Sequence, residues 1–541
     1  MKILILAMGA LVALCFANNF GITPVPKLAI DIQPAQPIEL QENLECIHTG
    51  VSTTPPWILY RDPPWSAGVQ IPDVSNLDDQ MLSMAVGPDG RIYVAYTGIY
   101  NAAPVRYGFG LASSTDGGLT WDNRIYRTSG TTYSEFNPEI TITNDGKIWV
   151  WGTLNGGSYT NTPCWMRSSA TCYNNPDSLR GFLLFDIPYR FYPECVNWGN
   201  GDQLLFAQYT VDRTGNTDSV FCVFSYDSTN WWVFTFLTPG GNPGMTSIGL
   251  DISGTDTILI HGIEYFDATG SDWDVVWYLD TLNGSGNFYG WATNNTNDDR
   301  YPSVFCTQGY AYIAIQADIG GGNNDILFNY STDYGATWNG TLIDITNDAI
   351  NETYPRLGGF SSTIGCNYIY DANTVRHNYS VWYGQDGTWQ PTAEVVTDNV
   401  SANNAYHATA LLWTPAYFHS TWEDTRNSGT DGIEIYASRR NAPVGVSESD
   451  FTKTGKLRLY PNPFKDKVTI SLSPELREKN LMLRIYDLSG KLVTAHTVIA
   501  NNSSVVWNGT DNYGGKVPAG VYVLSITIGD RILTQKAVLL Q

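Results

Sequence analysis

At 541 residues, with 15% charged residues, 13% aromatics and a net charge of −22, the chain has room for two or more domains. Its acidity excludes nucleic acid and anionic membrane surfaces as natural partners, and serves solubility outside the cell. Abundant Gly, Asn and Thr with few charges fit an all-β, turn-rich extracellular protein.

The chain begins like an exported protein. Lys2 precedes an apolar run from Ile3 to Phe16, and Ala17 offers a small residue for cleavage, so residues 1–17 read as a signal peptide. A lipoprotein reading of Cys15 is weakened by the bulk of Leu14. No later segment approaches the roughly 18 apolar residues of a membrane-spanning helix. Residues 18–45 read as an N-terminal linker. Export permits disulfides, and Cys164 with Cys172 or Cys195 with Cys222 are candidate pairs. No CxxC spacing is present, so no zinc site is expected.

The main signal is an internal repeat. Ser114-Thr115-Asp116-Gly117-Gly118-Leu119-Thr120-Trp121 matches Ser331-Thr332-Asp333-Tyr334-Gly335-Ala336-Thr337-Trp338, and the two octets start 217 residues apart. That is four periods of about 54 residues. Worn copies follow at Ser225-Tyr226-Asp227 with Trp231, and at Asp386-Gly387-Thr388-Trp389. A second marker, two apolar strands around a polar turn, runs in phase. It begins at Leu82, Pro138, Pro193, Met245, Pro302, Pro355 and Ala408, which makes seven units. Each unit reads as four short antiparallel strands, the pattern of a β-propeller blade. Seven blades over residues 46–440 are expected, with six as the alternative. The seventh unit ends after Gly432 to Ser438 without a fourth strand, so an N-terminal strand within Cys46 to Tyr60 is expected to supply it.

The repeated octet has a mechanical reading. Asp116 and Asp333 can accept backbone N–H bonds within the turn, with Ser114, Thr120, Ser331 and Thr337 beside them. Gly118 and Gly335 can take positive φ, and Trp121 and Trp338 can pack over the hairpin. The repeat resembles the Asp-box (BNR-repeat) propellers related to sialidases. That resemblance implies three arginines for a substrate carboxylate, a Tyr–Glu nucleophile pair and an Asp acid/base. The sequence departs from it: Tyr60-Arg61-Asp62-Pro63 lacks the Ile-Pro of the family's N-terminal motif, and seven units exceed the family's six blades.

Position gives a candidate pocket. The segment before each first strand should lie at one mouth of the central channel, where propellers bind ligands. Arg190, Tyr192, Arg300, Tyr301, Tyr354, Arg356, Tyr406 and His407 are the candidate ligand-binding residues there. Asp79, Glu135, Glu194, Asp299 and Glu352 are the only acids there to test for hydrolysis, which needs paired carboxyls or a tyrosine with a carboxyl partner. The reading that follows is a non-catalytic binder of glycan or protein. A sialidase-like hydrolase and an architectural surface protein are the alternatives. No cofactor and no metal are expected.

After a linker at 441–456 the composition changes. Leu459-Tyr460-Pro461-Asn462-Pro463-Phe464, the IYDLSGKLV segment and Trp507-Asn508-Gly509-Thr510-Asp511 through Gly520-Val521-Tyr522 resemble the type A C-terminal sorting domain of the type IX secretion system. The last stretch also resembles the FlgD-type Ig-like domain. The resemblance implies a small Ig-like β-sandwich over 457–541, engagement of the secretion machinery, and a secreted or cell-surface protein of a Gram-negative-type bacterium.

Overall fold

Alternating apolar runs broken by Asn, Gly and Asp turns give strands and hairpins almost without exception. A computed structural model describes residues between 29 and 540. Its gaps include 54–64, 170–179, 182–193, 398–408 and 442–456. The signal peptide, residues 442–456 of the second linker, and Arg190, Tyr192, Tyr406 and His407 lie outside the described residues. Asp79, Glu135 and Glu194 are described by backbone alone. No helix among the described residues is long and apolar enough to cross a membrane.

The chain divides into two compact units, with residues 1–87, 92–412 and 419–440 in one and residues 88–91, 413–418 and 441–541 in the other. Among the described residues, seven sheets follow one another before residue 442. Sheet 1 holds Asp79–Val86, Ile92–Ala102, Val105–Ser114 and Thr120–Thr128. Sheets 2 and 3 begin at Ser134–Ile142 and Glu194–Asn197. Sheet 4 holds Gly241–Ser253, Asp256–Asp267, Asp272–Thr281 and Phe288–Trp291. Sheet 5 holds Asp299–Thr307, Tyr310–Gly320, Asn323–Ser331 and Ile343–Asp344. Sheets 6 and 7 begin at Glu352–Phe360 and Thr409–Trp413.

Apolar faces join most successive sheets. Tyr93, Phe109 and Leu111 of sheet 1 share a core with Ile140, Ile148 and Val150 of sheet 2. Trp149, Trp151 and Trp165 of sheet 2 meet Trp231 of sheet 3. Similar cores join sheets 3 and 4, 4 and 5, and 5 and 6. Asn367 of sheet 6 donates to Ser420 of sheet 7 at 2.7 Å. Ile435 and Ala437 of sheet 7 pack with Ile92, Val94 and Trp121 of sheet 1. The seventh sheet therefore meets the first. Serines on the first strands add directional bonds: Ser247 and Ser303 accept the amides of Val304 and Leu357, each from the following sheet, at 2.9 Å.

The missing strand of sheet 7 is Val69–Gln70, opposite Ala437 and Tyr436. This corrects the expectation that residues within 46–60 would fill that place. Leu44–Thr53 pairs instead with Thr120–Thr128 of sheet 1. Connector length explains the choice. From Gln70 the chain reaches Asp79, the start of sheet 1, over much the same short step that leads from Asp344 to Glu352. The segment expected as a linker over 18–45 also supplies strands: Ala29–Ala35 borders sheet 3 and Ile38–Glu39 borders sheet 2. These added strands cover outer edges that would otherwise expose unpaired N–H and C=O groups.

Neither expected disulfide is present. Cys164 and Cys222 are buried thiols. Cys195 faces Ala207, while Cys222 faces Gln208 from the other side of the same strand. Two strands separated by a third lie roughly 9–10 Å apart, beyond the reach of a disulfide.

In the second unit, Leu457–Tyr460, Val468–Leu472 and Ser504–Trp507 form one sheet. Leu481–Asp487, Leu492–Val498, Gly520–Ile528 and Arg531–Leu539 form another. Val468, Ile470 and Trp507 from the first meet Leu483, Ile485, Leu524 and Ile526 from the second in one core. Trp507 satisfies its indole N–H on the Thr510 carbonyl at 2.9 Å.

Candidate functional site

The first strands share a device. Sheets 2, 5 and 6 carry a β-bulge at Asn137-Pro138, Tyr301-Pro302 and Tyr354-Pro355, where the register skips. Proline has no N–H to donate to the ladder, and a bulge is where a strand tolerates it. The residue before each proline is left-handed: Asn137 has φ 55°, Tyr301 53° and Tyr354 54°. Such a backbone costs a tyrosine about 1–3 kcal/mol and persists only where its surroundings enforce it.

The enforcement comes from the preceding sheet. The Asn137 amide donates to Thr97 Oγ1 at 3.0 Å, and the Tyr354 amide to Gln316 Oε1 at 3.3 Å. The Tyr301 amide donates to Glu264 Oε1 at 2.6 Å. Glu264 is fully buried, and its Oε2 also accepts from Met245 N at 2.9 Å and from Arg300 Nη2 at 3.0 Å. Arg300 lies over the ring of Trp273 at 4.5 Å and over that of Tyr301 at 5.1 Å. Burial works against its charge, but Glu264, with Tyr301 and Asp298, outweighs burial and raises its pKa. The Tyr301 and Tyr354 rings, both half-buried, stand 4.4 Å apart between centroids.

The sequence-predicted acids fall into one register. Asp79 faces Gly98, Glu135 faces Leu154, Asp299 faces Ala317 and Glu352 faces Tyr370. In each sheet a single paired residue separates the acid from the bulge. Glu194 lies past that point, opposite Gln208. Asp299 and Glu352 are fully buried. Burial, reinforced by Asp274, pushes Asp299 up to about 7, although Asn295 Nδ2 donates to it at 2.6 Å. Burial, then Asp348, pushes Glu352 up to about 8. Burial and the neighbouring Asp344 also raise Asp325. These carboxyls are therefore protonated or partly so near neutrality. Among the described residues no group of three or more His, Cys, Asp or Glu could hold a metal ion.

Of the ligand-binding candidates described, Arg300, Tyr301 and Tyr354 come together. Arg356 does not share their register. It lies beyond the bulge opposite Asn367, in the position that Ser303 takes in sheet 5, and its Nη1 donates to the Pro355 carbonyl at 3.5 Å. Sequence reasoning missed Glu264, Trp273 and Gln316. The signal for two of them was a polar residue inside the apolar second strand of a unit.

The repeated octets form turns at the far ends of the sheets. Asp116 Oδ1 accepts from the Leu119 and Thr120 amides at 3.0 and 2.9 Å, and its Oδ2 accepts from Thr120 Oγ1 at 2.7 Å. Ser114 Oγ donates to Asp116 at 2.8 Å and accepts from Gly118 N at 2.8 Å. Asp333 repeats this with Thr337 and Ser331, and Ser331 Oγ accepts from Gly335 N. Gly118 and Gly335 have φ of +88° and +84°, and a Cβ on Gly335 would come within 2.4 Å of Ile260. The tryptophan of the second octet reaches beyond its own hairpin: Trp338 contacts Trp277 of the preceding sheet at 5.6 Å.

Residues 458–540 match the family model for the Secretion system C-terminal sorting domain. The chain is secreted through it. Such a domain directs export by the type IX system, to the exterior or the cell surface. No curated protein matches the chain. Among solved structures it is similar to an alpha-L-arabinanase of Penicillium chrysogenum complexed with arabinobiose, at 14% identity and a TM-score of 0.39, covering 65% of this chain and 97% of that one. It is similar to a protein of unknown function from Dyadobacter fermentans at 12% identity and a TM-score of 0.40, covering 75% and 99%. It is also similar to the N10 neuraminidase-like protein of a bat influenza A virus at 9% identity and 0.36, covering 58% and 96%.

Proposed function

We propose that residues 46–440 are a seven-bladed Asp-box β-propeller that acts at the cell surface as a non-catalytic binder, with residues 457–541 as its Ig-like export module. The seven successive sheets and the contact of the last with the first support the ring. In such a ring the first strands line the channel, and the bulges mark its ligand-binding mouth.

The observation that carries the reading is the Tyr301–Tyr354 pair. Two tyrosines from consecutive sheets hold strained backbones, and each strain is fixed by a side chain of the sheet before. Strain of this kind clusters at ligand sites. Half-buried aromatic faces beside fixed polar groups suit a glycan or a protein segment. Hydrolysis finds less support. Asp79, Glu135, Asp299 and Glu352 occupy one repeated register position, as a structural residue of the repeat would.

The experiment is to present the secreted chain to a glycan array and, separately, to sialosides and aryl glycosides. Binding without turnover is expected. Turnover abolished by Glu352→Gln or Asp299→Asn would defeat the binder reading.

A further inference from the structure

We propose that the ledge made by Tyr301 and Tyr354 takes an uncharged saccharide rather than an acidic one. This rests on the reading of that ledge as a ligand site, and it narrows the ligand's chemistry.

The argument is a balance of charges. Arg300 is the cation nearest the ledge, and it is already committed. Its Nη2 meets the fully buried Glu264 at 3.0 Å, and its guanidinium lies against Trp273 and Tyr301. An incoming carboxylate or sulfate would meet a cation whose charge Glu264 already balances, and would gain little net attraction from it. Arg356, the other described cation on these two strands, stands beyond the bulge and turns toward the Pro355 carbonyl.

The acids near the ledge argue the same way. Asp299 and Glu352 sit one paired residue before the two bulges, in surroundings that favour their neutral forms. Asp298 is exposed, and its Oδ1 accepts from the Trp273 amide at 3.0 Å. Its negative charge would repel an anion. A cationic ligand is poorly served as well, because Arg300 already occupies the ring slot over Tyr301 where a foreign cation would sit. What the ledge offers is aromatic surface and hydrogen-bonding groups, with its nearest cation already balanced by Glu264. A neutral pyranose or furanose ring matches this, with its C–H face on a tyrosine and its hydroxyls on the polar rim.

The test uses the full secreted chain on an array carrying neutral oligosaccharides (gluco-, manno-, galacto-, xylo- and arabino-configured) beside sialylated, uronate and sulfated ones. Binding to one or more neutral oligosaccharides is expected, changing less than twofold between 50 and 500 mM NaCl (about), since no ion pair forms. Tyr301→Ala or Tyr354→Ala should weaken it by about tenfold or more while the thermal melt stays cooperative. Selective binding of acidic glycans, weakened by salt and by Arg356→Gln, would overturn the inference and leave the ligand site standing. Failure to bind any glycan of either kind would overturn the inference and leave a protein segment as the ligand of the ledge. The comparison of neutral with acidic glycans is made on the unaltered chain, so it holds even if a variant does not fold.

Discussion

Ser438 donates its hydroxyl to the backbone carbonyl of Ser66, 372 residues earlier in the chain, at 2.7 Å. Around this bond the N-terminal segment is tied to the last sheets. Trp65, 1% exposed, donates its indole N–H to Glu394 at 3.0 Å, and Arg440 meets Glu394 at 3.1 Å. Val69 and Gln70 then complete the seventh sheet. Trp65→Ala should therefore cost about 3–5 kcal/mol, the range for removing a buried tryptophan. Its melting temperature, compared with that of an exposed control such as Ile319→Ala, checks this. An unchanged melt would mean that the tie carries no stability.

The aspartates of the repeated octets should matter for stability and not for ligand. Asp116 holds two backbone amides and two hydroxyls in its turn. Burial disfavours its charge, but these bonds outweigh burial and lower its pKa. Asp116→Ala leaves those donors unpaired and should cost about 1–3 kcal/mol. The turn joins the third strand to the fourth, at the opposite end of the sheet from the bulges. Denaturant melts should fall, while affinity for any ligand of the tyrosine ledge should stay the same.

How much of this was legible in the sequence depends on the range of each interaction. The Asp116 and Asp333 turns were, because every partner lies within four residues. The phase of the first strands was too, because an apolar run followed by a turn is a local signal. The strand that completes sheet 7 was misplaced, because a two-residue strand such as Val69–Gln70 is too short to carry periodicity and only chain geometry selects it. At the site, Tyr301 and Tyr354 stood out as Tyr-Pro pairs. Glu264 did not, because its bond to Tyr301 spans 37 residues and crosses from one sheet to the next. The common register of Asp299 and Glu352 was not legible, because it depends on cross-strand pairing.

Acid should loosen the first unit through its buried histidines. Burial lowers His261 to about 3, and burial, then Arg439, lowers His419 to about 3. Unfolded, each titrates near 6.5. Below that value the unfolded chain takes up protons that the folded chain refuses. The stability these residues contribute is whole above about pH 6.5 and is lost progressively toward pH 3. His261 Nδ1 lies 2.5 Å from Gln208 Oε1, so His261→Asn offers a neutral polar replacement of smaller size. Melting temperatures from pH 7 to pH 4 should fall less steeply in that variant than in the unaltered chain. Parallel slopes would assign the acid sensitivity to other groups.

Glu352 should act in the opposite direction. Its folded value of about 8 stands above the ordinary 4.5, because burial and Asp348 penalise the charged form. The folded chain therefore holds a proton that the unfolded chain releases. The stability tied to that proton is whole below about pH 4.5 and is lost as pH rises through 8. Glu352→Gln keeps the shape and removes the titration. It should melt close to the unaltered chain at pH 5 and a few degrees higher at pH 8.5, since the glutamine has no charge to desolvate. A variant that melts lower at both pH values would show that the site needs the carboxyl itself and not merely a neutral group of that shape.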